Sequence, residues 1–163
     1  MRRSAALVLA AAPGILPPAY RWAVRTMLRR NVRRFMEGDV DAFLAGYSDD
    51  ATLTFPGRHS WAGVYRGKRE IEQFFQRFTR VGIKGETHEI LVQGPPWNTT
   101  VSVRFTDHLT APDGSTVYEN RAMVLAKVRW GKLVSEEIFE DTQRVAALDE
   151  YLEVHERGFQ PVG

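Results

Sequence analysis

The side chains able to move a proton near neutral pH are few, and most lie in the second half of the sequence. Asp107, Glu136, Glu140 and Asp141 are carboxyls in or beside segments patterned as β-strands, and Arg121 sits in another such segment. His59 lies in a stretch rich in Gly and Trp. Period-two alternation divides the last strand between two faces. Glu136, Ile138 and Glu140 share one; Ser135, Glu137, Phe139 and Asp141 share the other. Two carboxyls in an apolar cavity would have raised pKa values, and one would serve as acid or base. The competing expectation is a solvent-facing strand, or carboxylates paired with arginines. A single bulge between Leu133 and Asp141 would exchange the two faces.

Asp107 alternates with Val101, Val103 and Phe105, which projects it inward at a strand end. The alternative role is an aspartate near a turn that satisfies backbone donors. Arg121 shares a face with Met123, Leu125 and Lys127. It would neutralise a buried carboxylate or bind an anionic group, with a structural salt bridge as the plainer role. Histidine as a residue type suits proton transfer near neutral pH, which makes His59 a candidate, although loop histidines are often only surface groups. No metal is expected, since the sequence has neither cysteine nor a His-x-His or His-Glu-x-x-His pattern. No cofactor is expected either, because no Gly-x-Gly-x-x-Gly or Gly-Lys-Ser/Thr phosphate loop follows a strand.

Composition bounds the rest. The 163 residues, 44% of them apolar, suit one domain with a real core. The formal charge of +2 is nearly balanced. Arg21, Arg25 and Arg29 form a basic helical stripe, but the overall balance favours a solvated or partner-contacting face, and nucleic acid is not expected as a partner. Residues 1–18 begin Met-Arg-Arg before a short apolar run that Pro13-Gly14 interrupts. That run resembles a weak signal peptide and is too short for a membrane-spanning helix. A retained arm and a cytoplasmic location are the favoured reading, with an exported form left open.

These side chains need a scaffold. A helix is expected from Ala19, through Trp22, Leu28 and Val32, to Phe35/Met36, broken at Gly38. Asp39 caps a short second helix that includes Phe43, Leu44 and Tyr47. A strand covers Ala51–Phe55 and ends at Pro56, and a loop runs from Gly57 to Gly67. Lys68–Arg80 is a helix with Ile71, Phe74, Phe75 and Phe78 on one side. Strands follow at about 83–93, 99–110, 116–130 and 133–142, with turns at Asp113-Gly114 and Gly131-Lys132. Arg144–Glu156 is a last helix. The domain spans 19–157 and leaves 158–163 as a tail. The fold class is α+β: a cone-shaped, curved, mainly antiparallel sheet wrapped around helices. Tyr47, Phe55, Trp61, Phe74 and Phe78 are aromatic candidates for a ligand-binding lining that favours a small hydrophobic molecule.

Gly38-Asp39-Val40-Asp41, Asp49-Asp50-Ala51-Thr52, Gly63-Val64-Tyr65-Arg66-Gly67, Val128–Val134 and Ile138–Thr142 together resemble the SnoaL-like branch of the nuclear transport factor 2-like superfamily. The resemblance implies a cone-shaped barrel, commonly dimeric through its sheet, on which isomerases, cyclases, hydrolases and binding modules all occur. It turns Glu136, Ile138 and Glu140, and also Arg121, Met123 and Leu125, toward the pocket. Ketosteroid isomerases in this superfamily place a general base where Phe55 stands, a tyrosine at Asn31, and a protonated aspartic acid near Met123 or Leu125. Limonene epoxide hydrolases place an aspartate at Ile138. Neither mechanism is complete here. The expectation is therefore a cofactor-free isomerase, cyclase or hydrolase using other carboxyls, or else a non-catalytic binding or protein-interaction module.

Overall fold

The computed structural model describes residues 18–155; the expected N-terminal arm and C-terminal tail lie outside the described residues, apart from Pro18. The elements run α1 (Pro18–Met36), α2 (Val40–Leu44), β1 (Tyr47–Phe55), β2 (Gly63–Arg66), α3 (Gly67–Val81), β3 (Lys84–Gln93), β4 (Thr99–Thr110), β5 (Thr116–Arg129), β6 (Lys132–Glu140) and α4 (Thr142–His155). The strands form one six-stranded sheet in the order β2-β1-β6-β5-β4-β3. Every pairing is antiparallel except β1 with β6. The α+β class with a curved, mainly antiparallel sheet is thus the observed architecture.

Local chemistry accounts for the turns. Asp39 accepts the Ala42 N–H at 2.9 Å and is held by Arg34 at 2.6 Å, so α2 starts where its cap sits. The expected extension of α2 through Tyr47 gives way to strand: Tyr47 opens β1 and is 2% exposed. The loop expected over 57–67 contains β2, which pairs Gly63–Arg66 with Phe55–Thr52. The β5–β6 turn is centred on Trp130 and Gly131, with φ of 51° and 81°, rather than on Gly131-Lys132. Two positive φ values make the tight turn that matches strand twist. Trp130 is held in that conformation by its N–H on Pro96 O at 2.7 Å and by the Trp97 ring 5.9 Å away.

Register decides which side chains face inward. Val101, Ala126 and Glu136 form one cross-strand row; Val103, Val124 and Ile138 form the next; Phe105, Ala122 and Glu140 form a third. Asp107 stands opposite Asn120. The β5–β6 register shifts between Lys127↔Ser135 and Val128↔Leu133, which leaves Val134 as the extra residue. The bulge precedes Glu136, so Glu136, Ile138 and Glu140 keep a common face.

The concave face carries the main core. There Leu53, Ile71, Phe74, Phe75, Val145 and Leu148 are buried between the sheet and α2, α3 and α4. Phe75 meets the rings of Phe35, Phe43, Tyr47 and Phe74 at centroid distances of 4.9–6.1 Å. A second cluster joins Val24 of α1 to Ile90, Val92, Val101, Ala126 and Val128. Trp22, expected within the apolar face of α1, is exposed instead. Among the described residues no helix is long and apolar enough to cross a membrane.

Close packing also fixes one glycine. A Cβ on Gly85 would fall 2.0 Å from the Phe105 ring. Gly85→Ala is expected to force that ring aside and destabilise the fold by about 1–3 kcal/mol, the usual cost of overpacking. Thermal melting checks this; an unchanged transition would show that Phe105 relocates freely.

Candidate active site

The cone encloses a cavity of about 140 Å³, partly open to solvent. Its wall is aromatic on the helix side, with Phe35, Phe43, Phe74, Phe75 and Phe78, and branched aliphatic on the sheet side, with Val101, Val103, Val124 and Ile138. Tyr47, Phe55 and Trp61 complete the aromatic part. Three carboxyl residues line it as well: Asp107, Glu136 and Glu140.

Asp107 and Glu140 meet through a tyrosine. The Tyr118 hydroxyl lies 3.3 Å from Asp107 Oδ2 and 3.0 Å from Glu140 Oε2. Its single proton serves one of these at a time. Asn120 Nδ2 donates to the same hydroxyl oxygen at 3.2 Å and to Asp141 O at 3.0 Å, which fixes the group. Asp107 Oδ1 is buried and has no hydrogen-bond partner. Burial raises Asp107 to about 6, against the opposing effect of the Tyr118 bond. Burial, followed by the charge of Asp107, raises Glu140 to about 8. Burial and the two carboxylates push Tyr118 far up, so it stays protonated as a donor. The two carboxyls titrate as a coupled pair: the first proton lost leaves a charge that holds the second.

Glu136 lies elsewhere in the cavity. It accepts the Tyr47 hydroxyl at 2.5 Å, and burial raises it to about 7. Burial first, and then the Glu136 charge, pushes Tyr47 well up. Among the described residues this glutamate has no arginine or lysine partner, so structural ion pairing does not describe it there.

Several expected site residues lie elsewhere. Arg121, Met123 and Leu125 are exposed on the outer face of β5, while Ala122, Val124 and Ala126 face the cavity. The reason is register: β4 and β6 already present Asp107, Glu136 and Glu140 inward, and antiparallel partners directly opposite share a face. Asp141 accepts the backbone N–H groups of Gln143 at 3.0 Å and Arg144 at 3.4 Å, so it caps α4 rather than lining the cavity. His59 packs on Phe55 with ring centroids 4.7 Å apart, and its Nε2 lies 3.0 Å from Pro56 O. It stands behind the wall and not in it. Beside it, Ser60 binds Asp149 of α4 while Arg77 of α3 binds Ser60 and covers the Trp61 ring at 3.9 Å. These contacts fasten the 57–62 loop over one end of the core. Tyr118 and Asn120 belong with Asp107 and Glu140 although no motif or spacing in the sequence marks them.

Among the described residues no group of three His, Cys, Asp or Glu is placed to hold a metal ion.

Comparison with known proteins gives the fold a family. No curated protein matches the chain in sequence. Many solved structures resemble it. One is an NTF2-like protein from Burkholderia xenovorans, 18% identical, with a TM-score of 0.61 over 79% of this chain and 97% of that one. TerC, co-crystallized with polyporic acid, is 21% identical, with a TM-score of 0.61 over 79% and 97% of the two chains. The epoxide hydrolase/cyclase-like enzyme SalBIII, described in pyran ring formation in polyether salinomycin, is 18% identical, with a TM-score of 0.61 over 76% and 94%. At these identities the likeness establishes the fold. Residues 28–136 match the SnoaL-like domain model, which is more than half of the sequence, and the chain belongs to that family, with the nuclear transport factor 2-like fold.

Proposed function

We propose that the protein is an enzyme that binds a small hydrophobic molecule in the cone and moves a proton with the Asp107–Tyr118–Glu140 group. The observation that carries this reading is the Tyr118 hydroxyl set between two cavity-wall carboxyls, with Asp107 Oδ1 left unpartnered. Ionised Asp107 is the base, its Oδ1 free to take a proton from a ligand. Neutral Glu140 is the acid, linked to it through the tyrosine. Such a pair suits isomerisation, cyclisation, dehydration or hydrolysis, and none of its proton transfers calls for a cofactor. SalBIII, an epoxide hydrolase/cyclase-like enzyme of the same fold, lends support to this range of reactions.

A non-catalytic binder is the second reading. It is favoured by Phe55 and Ile138, apolar residues at positions where the resembling isomerases and hydrolases carry carboxylates. A thermal-shift screen of terpenoids, steroids, polyketide-like phenols and epoxides, followed by product analysis of each hit, separates the two. Turnover of a hit supports the enzyme; tight binding of every hit without turnover supports the binder.

The assembly expected is a homodimer through the outer face of the sheet. There Leu91, Met123, Leu125 and Phe139 are 38–54% exposed, and Met123 lies directly opposite Phe139. Arg104 and Glu89 sit beside them with opposite charges, which suits a self-complementary two-fold contact. Sedimentation is expected to give a dimer at micromolar concentration and a monomer for Leu125→Asp. A monomeric wild type would contradict the assignment.

A further inference from the structure

The cavity's polar groups are segregated. Glu136 and Tyr47 form one pole. Asp107, Tyr118 and Glu140 form the other. Glu136 and Glu140 are four residues apart on one strand, a span of about 13 Å between their backbones. The intervening row, Val103, Val124 and Ile138, has no polar side chain. Each pole also has an oxygen to spare. Tyr47 occupies one oxygen of Glu136 and leaves the other to a ligand. Asp107 Oδ1 is buried without a donor. Among the described residues lining the cavity there is no lysine, arginine or histidine. Arg121, the cation expected there from sequence, faces outward. A ligand carboxylate would therefore be desolvated beside acidic groups with no counter-charge, which is costly.

We infer that the cavity takes an elongated, uncharged, ring-bearing molecule with a hydroxyl group at each end, one donating to Glu136 and the other to Asp107, and that it rejects carboxylates. This deepens the reading that the cavity binds a hydrophobic ligand and rests on it. The aromatic helix-side wall, with Phe74, Phe75 and Phe78 among its rings, takes the apolar body. The end at Asp107 presents its hydroxyl to the proton-moving group, and the end at Glu136 fixes orientation.

Three probes with one rigid body test the inference on the full chain: biphenyl-4,4′-diol, 4-hydroxybiphenyl and biphenyl-4,4′-dicarboxylate, by isothermal titration calorimetry near neutral pH. The diol is expected to bind about tenfold tighter than the mono-ol, as one added hydrogen bond to a buried acidic group implies. The dicarboxylate is expected to show no binding. Glu136→Leu is expected to bring the diol down to the affinity of the mono-ol. The wild-type series stands without the variant should it fold poorly. Equal affinity of diol and mono-ol, or binding of the dicarboxylate as tightly as the diol, overturns the inference. That result leaves proton transfer standing, because turnover tests it separately. Failure of all three probes to bind overturns the inference and counts against the cavity as a ligand site.

Discussion

Asparagine at position 107 is expected to slow turnover of any ligand that the protein transforms by about 10²- to 10⁴-fold, the usual contribution of a positioned acid or base. Binding is expected to weaken by no more than about tenfold, the share of the one hydrogen bond that the ligand hydroxyl donates to Asp107. Asn keeps the shape of the side chain and an oxygen in reach of the Tyr118 hydroxyl, now 3.3 Å from Asp107 Oδ2. What it removes is basicity. Glu140→Gln is expected to act on the same step, since Tyr118 joins the two carboxyls. Because the two act as a unit, the double variant is expected to lose little more than either single one. Steady-state kinetics beside calorimetric affinity checks this. Weakened binding with unchanged kcat would make the pair a ligand anchor only.

The second large effect is on stability, and its direction depends on pH. Burial raises Glu136 to about 7 in the folded chain. A carboxyl whose folded pKa lies above its unfolded value supports the fold fully below the unfolded value. That support is lost as pH rises from the unfolded value through the folded pKa, because the unfolded carboxyl ionises over that range while the buried one holds its proton. One pKa unit corresponds to about 1.4 kcal/mol, so a shift of this size costs about 3 kcal/mol once the pH is well above neutral. Glu136→Gln stays neutral throughout and still offers Tyr47 an acceptor. It is expected to melt at least about 5 °C above the wild type near pH 8.5, and above it by only about a quarter of that difference near pH 5. Melting curves at the two pH values decide the matter. A difference that is the same at both would mean that packing, not ionisation, distinguishes the variant.

Much of the scaffold was legible in sequence because its signals are local. Gly38 and Asp39 stop one helix and cap the next, and apolar spacing marks α3. Alternation marks β4 and β6, whose inward residues line the cavity. What was not legible depends on pairing. Alternation yields two faces for β5 without saying which is inward, and the family resemblance pointed to the wrong one. At the Asp113-Gly114 hairpin Thr110 pairs with Thr116, and a one-residue register shift then sets Leu109 opposite Tyr118 and Asp107 opposite Asn120. Even-numbered residues of β5 then share a face with odd-numbered residues of β4, which turns Tyr118 inward and Arg121 outward. Tyr47 was misread for a different reason. Its helical spacing from Phe43 and Leu44 is genuine, but α2 ends at Leu44 and the chain extends directly into β1. Asp141 is a chemically competent residue whose hydrogen bonds are already used locally, and His59 packs on Phe55 behind the cavity wall, facts that no spacing rule reveals.

The central claim is that the cavity wall holds a coupled carboxyl pair with a proton to exchange near neutral pH. Carbon-13 NMR of the Asp and Glu carboxyls, followed through a pH titration of the full chain, tests it without knowledge of the substrate. Asp107 and Glu140 are expected to titrate together with apparent values near 6 and 8. In Asp107→Asn the Glu140 value is expected to fall, because the neighbouring charge that raises it is gone. Both carboxyls titrating independently near 4, the range of ordinary carboxylic acids, would contradict the account.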